Sequence, residues 1–162
     1  MTPEAQARQK IDRLLAASGW DVQDRRAMNI SASLGVAIRE FSLQQGDSAD
    51  YMLYADGRAI GVLEAKPEGH TLTGFELQSA KYTERLPDGL PHYRLPLPFA
   101  YESTGTVTQF TNGLDPHPRS REVFTLHRPE ELIGVETGQV DLRALTSIGR
   151  LLEPSLLTTA IR

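Results

Sequence analysis

The stretch from Ala49 to Tyr82, ADYMLYADGRAIGVLEAKPEGHTLTGFELQSAKY, constrains the fold more than any other. Two apolar runs, Tyr51 to Ala55 and Ala59 to Ala65, flank Asp56-Gly57, a dipeptide that closes tight hairpins because both of its residues tolerate positive φ. Charges that a buried strand ordinarily excludes sit at the ends of these runs: Asp50 before the first, Glu64-Ala65-Lys66 closing the second. Thr73-Gly74-Phe75-Glu76 then matches a capping box and predicts a helix over about 74 to 85. That helix would carry Gln78 and Tyr82 on one face, four residues apart.

Strand side chains alternate, so Asp50 and Glu64 can share a cation only if the hairpin register puts them on one face of the sheet. A plain two-residue turn pairs Ala55 with Arg58 and Asp50 with Leu63, which sends Glu64 to the other side. A three-residue loop (Ala55-Asp56-Gly57 or Asp56-Gly57-Arg58) or a glycine bulge at Gly57 brings Asp50 onto the face of Val62, Glu64 and Lys66. Opposed or diagonal Cβ atoms then lie roughly 4.5–8 Å apart, close enough for two carboxylates to bridge one ion. The expectation is an odd-length loop or a bulge. An undistorted two-residue turn would contradict a shared ion.

The remaining sequence reads as a scaffold. Thr2-Pro3-Glu4 is a helix start, and Ala7, Ile11, Leu14, Leu15 and Ser18 share one face before Gly19 ends the run, giving a helix over about 3 to 18. Trp20-Asp21-Val22 opens the next segment, and Ser33 to Leu43 reads as a strand. Prolines between Leu90 and Pro98 argue against regular structure. Phe99 to Glu102, Thr106 to Thr111 and Glu122 to Leu126 read as strands. Pro129-Glu130-Glu131 opens a short helix, Asp141 to Leu152 forms a longer one, and Ser155 to Arg162 begins another. The predicted class is α/β (α+β), a mixed β-sheet flanked by helices. Residues 1–140 would form the main domain and 141–162 a helical extension.

Composition limits the function. At 162 residues with 40% hydrophobic and 23% charged content, the chain suits one globular domain. No apolar run approaches the ~20 residues that span a bilayer, and the N-terminus has no apolar leader core. With no cysteine, disulfides and thiolate sites are excluded, which fits a reducing cytoplasm. A net charge of −4 argues against coating nucleic acid by bulk charge, but an acidic site that meets phosphate through a cation is compatible with it. The chain lacks a phosphate-binding loop for ATP, and lacks a Gly-x-Ser-x-Gly nucleophile elbow.

Asp50 and Glu64 are hard oxygen ligands suited to Mg²⁺, and Lys66 comes up two residues beyond Glu64 where it can stabilise developing charge. The same three residues read equally as a surface aspartate and a Glu–Lys pair at a strand end. Gln78 and Tyr82 read either as DNA contacts or as a helix surface with a half-buried tyrosine. Lys81 and Arg85 repeat that spacing, and Arg119, Arg121 and Arg128 form a second basic cluster. His70, His92, His117 and His127 show no metal-ligand spacing and read as loop or surface residues.

The combination resembles the PD-(D/E)xK nuclease superfamily, and more narrowly the N-terminal endonuclease domain of the type I restriction–modification R subunit. The residues that carry it are Arg39-Glu40-Phe41, Ala49-Asp50-Tyr51, Val62-Leu63-Glu64-Ala65-Lys66-Pro67 and Gln78-x-x-x-Tyr82. Tyr101-Glu102-Ser103-Thr104-Gly105 and Asp115-Pro116 through Arg119-Ser120-Arg121 add to it, so the likeness spans most of the chain from Arg39 onward. Ala49 stands where the superfamily's name has proline.

The resemblance implies a restriction-endonuclease-like fold in which Asp50 and Glu64 ligate Mg²⁺, with the Ala65 carbonyl as a further ligand, and Lys66 is the catalytic lysine. Gln78 and Tyr82 become the accessory motif for DNA contact, and Glu40 lies near where some members place another acid. It further implies a DNA endonuclease, non-specific at the cut, that works on double-stranded DNA with modification and specificity subunits. An ATP-driven motor domain follows in cis in the family, and ATP belongs to that motor alone. Since the chain ends at Ile161-Arg162, near where the motor would begin, the expectation is a truncated or lone-domain product. A reading from another class is a catalytically silent nuclease-like module that docks DNA or partner subunits.

Overall fold

Thr2 accepts the Ala5 N–H at 3.1 Å and Pro3 occupies the first turn, so the chain enters α1 (Pro3–Ala17) as its sequence dictates. Ala7, Ile11 and Leu15 form the buried stripe of that helix. The computed structural model describes residues 1–72 and 86–139. The helix predicted over 74–85 and the extension over 141–162 lie outside the described residues.

Seven strands follow among the described residues: β1 (Trp20–Asp24), β2 (Gly35–Ser42), β3 (Ser48–Ala55), β4 (Arg58–Ala65), β5 (Phe99–Ser103), β6 (Thr108–Asn112) and β7 (Ser120–Val123). They form one sheet in sequence order. β1–β2 and β4–β5 pair in parallel, and the other neighbours are antiparallel. With α1 and α2 (Pro129–Glu136), this is the expected mixed α/β sheet flanked by helices. β7 begins two residues earlier than the run Glu122 to Leu126 suggests, and Phe124 beyond it is exposed. No helix among the described residues is long and apolar enough to cross a membrane.

Alternation along the strands sorts the core into two sides. Ile11, Leu15, Leu132 and Val135 of the helices pack with Tyr51, Leu53, Leu63, Phe99, Tyr101 and Phe110. Val36, Ile38, Met52, Tyr54, Val62 and Ala100 form the other side with Leu86 and Leu97. Burying such side chains contributes roughly 1.5–3 kcal/mol each relative to exposure. That makes the register of the two central strands expensive to shift.

Candidate functional site

The hairpin decides the site. Asp56 and Gly57 both take positive φ (51° and 74°), and Ala55 pairs with Arg58, so the loop has two residues rather than three. The odd residue lies further along β4. Tyr54 pairs with Ala59 and Leu53 with Gly61, which leaves Ile60 as a bulge. Ile60 consequently packs on the helix side with Leu63, three residues on, where undisturbed alternation would turn it away. From the bulge onward Met52 pairs with Val62 and Tyr51 with Leu63. One step further, Asp50 and Glu64 come opposite each other.

Gly61 explains why the irregularity sits there. A Cβ on this residue would come within 2.6 Å of the Phe99 carbonyl oxygen, so β4 and β5 approach closely at a point only glycine allows. The extra residue beside it lets β4 satisfy β5 and still return to phase with β3.

A second irregularity faces the first. The β2–β3 ladder pairs Arg39 with Tyr51 and Phe41 with Ala49, and skips Glu40 and Asp50 between them. Glu40 has a φ of 49°, a conformation uncommon outside glycine and found at sites that hold strain. Ile38 and Phe41 both reach the second core side although they are three residues apart, because the kink at Glu40 resets alternation.

The two acids meet in a dry place. Glu64 is 6% exposed, and among the described residues its Oε1 has no hydrogen-bond partner. Burial pushes its carboxyl well above the ordinary 4.5, and the adjacent Asp50 carboxylate pushes it further, while Lys66 and the Asp50 backbone amide pull back. Asp50 is fully engaged: Oδ2 accepts the Ala65 N–H at 2.8 Å, and Oδ1 accepts from Arg8 at 2.6 Å. Lys66 follows β4 directly, tied by its N–H to the Ser103 carbonyl at 2.8 Å.

Glu102 joins them, unassigned by the sequence reading. It pairs in register with Glu64 across the parallel β4–β5 ladder and is 4% exposed, and its Oε2 also lacks a partner among the described residues. Burial raises its pKa, opposed by Lys66 and His70. Its partner on β6 is Gln109, which with His70, Thr104 and Thr106 lines an open recess beside it. Its signal was the one that exposed Glu64, a charge inside an apolar run.

The other candidates are dispersed. Glu40 is exposed and shares Arg8 with Asp50 rather than facing Glu64. Arg121 pairs with Phe110 on the helix side of the sheet, opposite the face of Glu64 and Glu102, and Arg119 is exposed just before β7. Gln78, Lys81, Tyr82 and Arg85 lie outside the described residues. His127 departs from its surface reading: it sits on a loop, but its ring packs 4.4 Å from that of Phe110 and burial lowers its pKa to about 4.

The donor set suits a hard divalent cation: two opposed carboxyls, one oxygen of which is buried and unpartnered. Among the described residues no group of three or more His, Asp or Glu side chains stands ready to hold an ion. Comparison with known protein families, with curated proteins and with solved structures finds no match.

Proposed function

We propose that this chain is the Mg²⁺-dependent endonuclease domain of a type I restriction–modification R subunit. It would act in the cytoplasm on double-stranded DNA, with modification and specificity subunits as partners and a motor domain in cis in the full-length protein. The observation that carries the reading is the bulge at Ile60, which sets the Asp50 carboxyl against that of Glu64 with Lys66 two residues further along.

Asp50 and Glu64 would hold the ion, with the Ala65 carbonyl as an additional donor. When bound, a divalent cation polarises a phosphoryl oxygen and makes a water more acidic. The chain's own residues supply the rest. Glu64 would have to be ionised to ligate the ion, releasing its proton to solvent. Lys66 places a positive charge where the phosphate gains negative charge, a contribution that grows as the site excludes water. A recess lined by His70, Thr104 and Gln109 lies beside this part of the sheet, with Gln109 the register partner of Glu102, and would give a nucleic-acid backbone a place to lie.

A second reading, a silent module that only docks DNA or partner subunits, is favoured by one observation: both Asp50 oxygens are already engaged within the protein. Incubating the purified chain with plasmid DNA and Mg²⁺ or Mn²⁺ separates the two. The nuclease reading expects metal-dependent cutting that falls on the order of a hundredfold or more in Glu64→Ala and Lys66→Ala. DNA binding of equal strength in all three proteins, with cutting in none, would establish the docking module instead.

A further inference from the structure

Arg8 reaches the carboxylates from α1, 42 residues from Asp50 in sequence. Its Nη2 donates to Asp50 Oδ1 at 2.6 Å and to Glu4 Oε1 at 3.2 Å, and its Nη1 donates to Glu40 Oε1 at 3.0 Å. The planar guanidinium thus bridges carboxylates on β2 and β3 where the ladder between those strands is interrupted. We propose that Arg8 is a resident counter-cation of this site, a positioning residue that holds Asp50 without a metal and sets the divalent-ion concentration at which the site fills. This rests on the reading of Asp50 as a metal ligand.

The competition follows from Asp50. Oδ2 accepts the Ala65 N–H and Oδ1 carries the Arg8 guanidinium, so a divalent cation arriving at Asp50 meets a positive charge already bound there and competes with it. The contact is not an ordinary surface pair. The Asp50 side chain is 16% exposed and that of Arg8 34%, so the exchange takes place at a partly desolvated point where a charge-assisted bond keeps much of its strength.

Displacing the guanidinium does not require moving α1. The helix is fixed independently by Ile11 and Leu15 in the core, and by Asp12, which accepts from Arg39 at 2.8 Å and from the Tyr51 hydroxyl at 2.7 Å. Glu4 and Glu40 are exposed and can retain the Arg8 head group once Asp50 lets it go.

Calorimetric titration of Mn²⁺ into the full 162-residue chain tests this, with Arg8→Gln, Arg8→Lys and Asp50→Asn alongside. The expected result is Mn²⁺ binding on the order of tenfold tighter in Arg8→Gln, from the lost positive charge and the freed oxygen. Arg8→Lys, which keeps the charge but not the fork, should fall between, and Asp50→Asn should lose the binding. Thermal unfolding adds a readout that a purely structural role would not move: the deficit of Arg8→Gln in chelator should shrink in saturating Mn²⁺, because the ion replaces the missing cation. Unchanged or weaker Mn²⁺ affinity in Arg8→Gln, or a deficit that Mn²⁺ leaves unaltered, would overturn the role given to Arg8. Binding that survives Asp50→Asn, or no binding in any protein, would overturn the metal reading of Asp50 and this inference with it.

Discussion

Tyr101 and Glu102 are neighbours on β5, and the sheet sends them to opposite sides with opposite fates. On the helix side, the Tyr101 hydroxyl lies 2.5 Å from His127 Nδ1 and accepts the His127 backbone N–H at 3.2 Å, while the Trp20 indole N–H donates to the His127 carbonyl at 2.9 Å. Which of the hydroxyl and Nδ1 donates depends on the ring's tautomer, and burial keeps the imidazole neutral by lowering its pKa to about 4. On the other side, Glu102 and Glu64 are as deeply buried, and each keeps an oxygen without a partner among the described residues. Proteins rarely leave buried carboxyl oxygens unsatisfied, since each costs about 1–3 kcal/mol, more when charged. One strand therefore carries a polar cluster that completes itself and another left with unpartnered acid oxygens among the described residues. The first belongs to stability, and the second is where chemistry is to be sought.

The sharpest way to break this contrast is Tyr101→Phe. It leaves His127 Nδ1 and the His127 N–H buried without their partner, and should cost about 1–3 kcal/mol in denaturant unfolding. A loss below about 0.5 kcal/mol would show that water replaces the hydroxyl and that the cluster is not closed.

The second test is by pH. The folded protein lowers the His127 pKa to about 4 from 6.5, so the unfolded chain takes up the proton first on acidification. The stabilisation from His127 is fully present above about 6.5 and is lost progressively down to about 4. Glu64 pulls the other way, because its raised pKa costs stability as pH climbs above the ordinary carboxyl value of 4.5. The difference between wild type and His127→Gln isolates the histidine, and it should narrow from pH 7 to pH 4. A constant difference would place the ring in water.

How much of this was legible in the sequence differs from residue to residue. The helix start at Thr2-Pro3, the central hairpin and most strands followed from caps, turns and alternation, because those signals are local. The need for an odd residue between Asp50 and Glu64 was legible too, but not its place. The local signal points to Gly57, whereas the odd residue is Ile60, where contact between Gly61 and β5 governs the backbone, and no local pattern carries a contact to residue 99. Glu102 carried the same mark as Glu64, acid within an apolar run, and went unassigned. Arg8 carried none, since an arginine on a polar helix face gains its meaning only from the packing of α1 beside β2 and β3.

The central claim is that the Asp50–Glu64 pair is unfavourable to the protein by itself and favourable once a divalent cation lies on it. Unfolding free energies of wild type and Glu64→Gln, each measured in chelator and in millimolar Mn²⁺, test it directly. In chelator at pH 7, Glu64→Gln should be the more stable by about 1 kcal/mol, because the amide is neutral folded and unfolded, whereas burial beside Asp50 makes the wild-type carboxyl take up a proton on folding. In Mn²⁺ the order should reverse, since only the wild type gains binding energy. The same order and the same gap in both conditions would contradict the claim.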